Sequence, residues 1–214
     1  MRIAVPIIAS SMDEALRDID KAAEDADIVE LRLDFMSNPD LERLLRHSQI
    51  PKIVTNRTKL EGGRFEGSEE DRIAYLQEAI NLGAEYIDIE SDYFHAFERG
   101  STKLIVSHHN FGRTPENLQE TYKKIATQNP DIIKIATKAE NYGDSLRMLN
   151  LIADADKDII GICMGQYGII TRVLGPVYGG YLTFASLEER KSSAPGQLSV
   201  AELKNAWQLL QLQQ

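Results

Sequence analysis

The chain has 214 residues, of which 43% are hydrophobic and 27% charged. That balance excludes a disordered chain, and the length suits one domain that buries its own core without disulfides or metals. Lys and Arg number 24 against 33 Asp and Glu, a formal net charge of −9, which makes nucleic acid and anionic membrane surfaces poor partners. Short β-branched runs then alternate with longer stretches of helical period. In chain order, strands are predicted at 3–8, 28–33, 52–56, 86–89, 104–108, 132–136, 159–164 and 181–185. Helices are predicted near 12–24, 39–47, 69–82, 93–99, 115–128, 140–154, 168–174 and 199–211. Asn81-Leu82-Gly83 reads as a helix stop, Thr114-Pro115-Glu116 as a cap before a first-turn proline, and Ser199 with Glu202 as a capping box.

The single Cys163 cannot form an internal disulfide, which fits a reducing compartment. The first residues carry one basic side chain and an apolar run too short for a signal peptide or membrane span. The expectation is a cytoplasmic, soluble protein.

Many of the strands are almost wholly apolar, as expected when both faces are covered. A closed (β/α)₈ barrel and an open doubly wound sheet compete for this pattern. No Gly-x-Gly-x-x-Gly or Walker sequence follows a strand, which weakens the nucleotide-binding open sheet. With no linker or composition break, residues 1–214 read as a single compact domain.

In a barrel, function sits at the C-terminal ends of the strands. Charges recur there: Glu30-Leu31-Arg32-Leu33-Asp34, Arg57 through Glu61, Asp88-Ile89-Glu90, His108-His109, Lys134, and Arg172 after Cys163-Met164-Gly165. Glu30 and Arg32 are two apart, so they share a strand face. They read as an acceptor and a donor for substrate hydroxyls, or else as a structural ion pair plugging the barrel. Lys134 lies among isoleucines, and lysine is almost never buried without a partner or a purpose. Burial of an amine disfavours its charged form, and a neutral amine can attack a ketone to form a Schiff base. The alternative is a structural lysine paired with Glu30 or Asp88. Lys52 and Lys103 open their strands and belong to the opposite face; Lys138 falls beyond the sixth strand, at the surface. His108 and His109 offer an acid/base, but alternation sends only one inward and periodicity does not say which. Glu61 is a candidate to orient that ring. No metal spacing is present, and Cys163 reads as core.

Together these residues resemble type I 3-dehydroquinate dehydratases, the Schiff-base-forming enzymes of the shikimate pathway. The carriers are Glu30 to Asp34, Arg57-x3-Glu61-Gly62-Gly63, Asp88-Ile89-Glu90, Ser107 to Phe111, Ile132 to Ala136, Met164-Gly165-x2-Gly168-x3-Arg172, Thr183-Phe184 and Ser193 to Gln197. Each motif alone is weak; all of them in order are specific. The resemblance implies a (β/α)₈ barrel, a homodimer, and no metal or organic cofactor. It implies Lys134 as the imine lysine, His109 rather than His108 as general base and acid, and Glu61 as its orienter. It implies Arg172, with Ser193 and Gln197, for the substrate carboxylate. Glu30, Arg32 and Arg57 would hold ring hydroxyls, and Met164 and Phe184 would pack on the carbocycle of 3-dehydroquinate. Asn110 stands where the family often has Asp. Residues 186–198 are polar and rich in turn formers, and read as a lid or as a passive connection. Two other functions fit parts of the pattern. A class I aldolase would place a phosphate on Gly175–Gly180, and a non-catalytic barrel would bind a hydroxy acid without turnover.

Overall fold

Alternating side chains along eight short parallel strands build two separate cores in the computed structural model, which describes residues 1–187 and 194–212. The strands are β1 (Ile3–Ile7), β2 (Ile28–Arg32), β3 (Lys52–Thr55), β4 (Tyr86–Glu90), β5 (Lys103–Asn110), β6 (Ile132–Lys138), β7 (Asp158–Met164) and β8 (Thr183–Phe184). They pair in the order β7-β6-β5-β4-β3-β2-β1-β8. The Tyr181 N–H donates to the Ile159 carbonyl at 2.7 Å and draws the two ends of the sheet together. The result is a nearly closed barrel, the TIM-barrel architecture rather than the open sheet.

Helices α1 (Met12–Ala23), α2 (Leu41–Arg46), α3 (Glu69–Asn81), α4 (Leu118–Ala126), α5 (Tyr142–Asp154), α6 (Ile169–Leu174) and α7 (Val200–Leu209) lie outside. One core fills the space between them and the barrel: Val5, Val29, Val54, Val106 and Ile133 face out to meet helix residues such as Leu76 and Trp207. The other fills the barrel, where Ala4, Ile28, Ile53, Ile105, Ile132 and Ile160 face in. Two residues further along most of these strands, the inward face turns polar, with Glu30, Thr55, Ser107 and Lys134. The apolar floor therefore supports a charged upper layer. Lys52 sits at the opposite rim, as its position at the strand start requires, and donates to the carbonyls of Ser48 and Ile50 at 3.0 and 2.8 Å. Lys138 is exposed and Cys163 is buried in the outer core.

Four local readings meet different outcomes. The Ser199–Glu202 capping box forms, and α3 stops at Asn81 with Gly83 at φ 88°. The helix expected over 93–99 does not form. A 3₁₀ turn at Ser91–Tyr93 is followed by irregular chain. Tyr93, Phe94 and Phe97 are weak helix formers, and two of them have tertiary work instead: Tyr93 lies under the Arg72 guanidinium and Phe97 packs on the outer core. Helix α4 also starts later than expected. Thr114 does not cap it; its buried hydroxyl contacts the Thr137 hydroxyl and the Lys138 carbonyl, each at 2.8 Å, and pins the loop to β6. Among the described residues no helix is long and apolar enough to cross a membrane.

Gly63 shows how tightly the loop after β3 is folded. A Cβ there would lie 2.0 Å from the Arg57 carbonyl oxygen and 2.6 Å from the Arg57 Cβ. Neither atom belongs to a flexible chain end, so backbone must move. Gly63→Ala is expected to lower stability by about 1–3 kcal/mol, the usual range for overpacking, read as a fall in the urea midpoint. An unchanged midpoint would contradict this packing.

Candidate active site

One cavity opens at the C-terminal ends of the strands, and nine of the side chains singled out in the sequence line it: Glu30, Arg32, Arg57, Glu61, His109, Lys134, Met164, Arg172 and Phe184. Strand alternation delivers most of them. Glu30 and Arg32 come from β2, His109 from β5, Lys134 from β6 and Met164 from β7, each on the inward face. Gln197 is half-buried in the turn that follows Ala194; Ala194 lines the cavity, Gln197 does not. Ser193 lies outside the described residues, as do 188–192 of the candidate lid. The described stem of that segment is docked: the Gly165 N–H donates to the Pro195 carbonyl at 2.9 Å.

Lys134 is buried and doubly paired. Its Nζ donates to Asp88 Oδ2 at 2.8 Å and Glu30 Oε1 at 3.3 Å, and stands 4.5 Å from the centre of the Phe184 ring. The structural pairing with Asp88 and Glu30 forms, and it places the amine at the base of the cavity. Asp88 is fixed on its other oxygen by Arg57 Nη2 and Ser107 Oγ, each at 2.7 Å. Burial pushes the Asp88 carboxyl up, but Arg57 and Lys134 outweigh it and hold it well below the usual carboxylate range. Burial likewise opposes the Arg57 charge, and Asp88, Glu90 and Glu30 more than restore it.

The two histidines separate as alternation requires. His109 points into the cavity, while His108 faces the other way and stays partly exposed. Glu61 Oε2 accepts from the His109 main-chain N–H at 3.0 Å and contacts its Nδ1 at 2.8 Å. That contact places the proton on Nδ1 and leaves Nε2 as the acceptor. Burial, then the Arg57 and Lys134 charges, hold the His109 imidazole well below its ordinary value. Burial raises Glu61 to about 7, against the pull of Arg57 and with help from Glu90.

Arg32 forms a two-pronged bond with Asp34, both contacts at 2.8 Å. Arg172 is different. It is buried, and among the described residues its Nη1 reaches only the Phe184 carbonyl, at 3.3 Å, and its Nε has no hydrogen-bond partner. Burial pulls its guanidinium down to about 10. Among the described residues no carboxylate pairs with it, so this cation is poised for an anion from outside.

Phe111 was missed as a site residue. It lines the cavity, its ring lies 16° from parallel with His109, and it closes over Gly62. Its only signal in the sequence was an aromatic two residues beyond the histidine. Gly175–Gly180, the possible phosphate loop, does not line the cavity; the Gly180 N–H bonds back to the Gly175 carbonyl at 2.9 Å.

The type I 3-dehydroquinase family model matches residues 3–214. A 3-dehydroquinate dehydratase of Methanococcus maripaludis strain C5 is 39% identical over 98% of this chain and 100% of its own length. The bifunctional 3-dehydroquinate dehydratase/shikimate dehydrogenase of Arabidopsis thaliana is 40% identical over 94% of this chain, which spans only 36% of that longer protein. Among solved structures, type I 3-dehydroquinate dehydratase from Clostridium difficile with covalent modified comenic acid aligns at TM-score 0.84 and 28% identity, over 98% of this chain and 91% of that one. The Aquifex aeolicus 3-dehydroquinate dehydratase aligns at 0.78 and 33% identity, over 98% of both chains. The chain belongs to the type I 3-dehydroquinase family, whose relatives are 3-dehydroquinate dehydratases.

Proposed function

We propose that the chain dehydrates 3-dehydroquinate to 3-dehydroshikimate by syn elimination through an imine on Lys134. The observation that carries this reading is the pairing of a buried amine with an oriented histidine in one cavity: Lys134 between Asp88 and Glu30, His109 against Glu61. Lys134 Nζ adds to the C3 ketone and water leaves as the imine forms. The protonated imine is a better electron sink than the ketone. His109 Nε2 takes a C2 proton, giving the enamine. It then returns that proton to the C1 hydroxyl, which departs as water, and a second water hydrolyses the imine. One base on one side of the ring makes the elimination syn. Arg172 pairs with the substrate carboxylate, with Ser193 and Gln197 closing over it. Arg32, Arg57 and Glu30 meet the ring hydroxyls, and Met164 and Phe184 pack on the carbocycle. The covalent modified comenic acid in the Clostridium difficile structure supports a covalent route. No residue role here calls for a metal or organic cofactor, and the same reading includes a cytoplasmic homodimer that acts apart from nucleic acid and membranes.

The test is turnover of 3-dehydroquinate, followed by the ultraviolet absorbance of the conjugated enone product, with borohydride added and the adduct mapped by mass. Expected are product and a reduced adduct on Lys134. Absence of both overturns the proposal.

The Glu61–His109 pair also sets a pH dependence. When Glu61 is protonated it donates to Nδ1 and moves the ring proton to Nε2, where a base cannot work. The acid limb of kcat/KM should then fall near pH 7, as a property of the coupled pair. Glu61→Gln keeps an acceptor for Nδ1–H at every pH. It should move that limb below the ordinary histidine value of 6.5, toward the lowered His109. An unmoved limb would remove Glu61 from this role.

A further inference from the structure

The buried charges under the cavity continue through the barrel wall to a residue that no substrate can reach. Arg72 lies on α3, outside the barrel, on the same buried stripe as Leu76, Ala79 and Ile80. It is fully buried. An arginine in such a stripe is costly to desolvate, and an apolar side chain of similar volume would pack there at least as well. Packing alone therefore leaves its charge unexplained.

Its guanidinium is divided between two tasks. Nε and Nη2 take the Glu69 carboxylate at 2.9 and 2.6 Å, which anchors the group to its own helix. Nη1 reaches inward to Glu90 Oε2 at 2.5 Å and to the Asn56 carbonyl at 3.1 Å. The other oxygen of Glu90 accepts the Thr58 N–H at 3.0 Å and faces Arg57 Nη1 at 3.2 Å. Arg57 holds Asp88, and Asp88 holds Lys134. Asn56 and Thr58 flank Arg57 in the loop that goes on to Glu61. Charges alternate in sign along the whole line Arg72, Glu90, Arg57, Asp88, Lys134. In this connected cluster Arg32, Arg57, Arg72 and Lys134 face Glu30, Asp34, Asp88 and Glu90, so each of these four cations has an anion.

We infer that Arg72 is a positioning residue for this reaction: by fixing Glu90 and the Asn56–Thr58 backbone, it sets where Arg57 and Lys134 stand. Without it, Glu90 keeps only one satisfied oxygen and can turn toward Arg57, and Arg57 then loses its fixed grip on Asp88. This inference rests on the imine reading of Lys134.

The experiment compares the full-length wild type with Arg72→Met, Arg72→Lys and Glu69→Gln, with kcat expressed per site trapped by borohydride on 3-dehydroquinate. Arg72→Met should lower kcat about 10–100-fold, the scale of a sub-ångström to ångström misplacement, with KM within about threefold. Arg72→Lys should recover most of that loss, because the charge still faces Glu90. A purely structural Arg72 would lower the melting temperature and the yield while leaving kcat per trapped site unchanged, and that result overturns the inference. If Arg72→Met does not fold, Glu69→Gln decides: it loosens only the outer anchor, a drop in kcat supports the inference, and a wild-type kcat overturns it. Absence of any adduct in the wild type sinks the imine reading itself, whereas a wild-type adduct with unaltered variants sinks Arg72 alone.

Discussion

Lys134→Met is expected to lower kcat by at least about 10⁴-fold and to abolish the borohydride-stable adduct, since it removes the covalent route as a whole. Methionine is the right replacement because it keeps an unbranched apolar stem beside Phe184. It does not orphan the groups it leaves. Asp88 retains Arg57 and Ser107, each at 2.7 Å, and Glu30 retains the Thr55 hydroxyl at 2.9 Å. The loss of stability should therefore fall at or below the low end, about 3 kcal/mol, of what breaking a buried ion pair costs. The urea midpoint separates this loss from the catalytic one. The variant should still bind the product through Arg172 and Arg32, which calorimetry can check. A loss in kcat under about 100-fold, or an adduct elsewhere in the cavity, would show that the amine is a structural partner of Asp88 and nothing more.

What the sequence exposed and what it hid follow from the range of the forces involved. Strand alternation is local, so spacing alone put Glu30 and Arg32 on one strand face, and the isoleucines around Lys134 marked it as buried. The eight-unit rhythm was local too, and it narrowed the fold to a closed barrel or an open sheet, between which the resemblance chose the barrel. The choice between His108 and His109 was not local. It depends on which face of β5 meets Glu61, a residue 48 positions earlier. Resemblance chose His109, and the geometry places it in the cavity. The helix expected over 93–99 failed for a similar reason. Its aromatics are claimed by Arg72 and the outer core, and those contacts override a weak periodicity. Thr114 looked like a helix cap because threonine before proline usually is one, yet a hydroxyl and a carbonyl on β6 claimed it first. Arg72 left one readable trace, a charge on the apolar stripe of α3. Its meaning needs Glu90 and Arg57 in space. That Arg172 has no carboxylate partner among the described residues is also a property of the fold alone, since counting charges along the chain says nothing about which of them meet.

His109→Ala is expected to lower kcat about 10²–10⁴-fold, the usual worth of a positioned acid/base, while imine formation survives. The division follows from the contacts. Lys134 is held by Asp88 and Glu30 and makes no hydrogen bond to His109, so the amine keeps its place when the ring is removed. Addition to the ketone can proceed, but the C2 proton then has no base above it. Substrate imine should accumulate, and borohydride should trap at least as much of it as in the wild type. Its mass should be that of reduced substrate, before water is lost, whereas wild-type adducts also include the dehydrated form. The lowered His109 value, set by burial and then by Arg57 and Lys134, fixes the sign of the pH effect: the ring is a neutral base at pH 7, and its removal should flatten the acid limb of the profile. Loss of trapping in this variant would contradict the separation of roles, because the ring would then be needed before the imine exists. The double variant Lys134→Met/His109→Ala sharpens the same point. Without the imine the C2 proton is not acidified and the base has little to act on. The double loss should therefore be close to that of Lys134→Met alone, far short of the product of the two single losses. Multiplicative losses would mean that histidine and lysine act on separate steps of unconnected chemistry, which a shared cavity built around one ring does not allow.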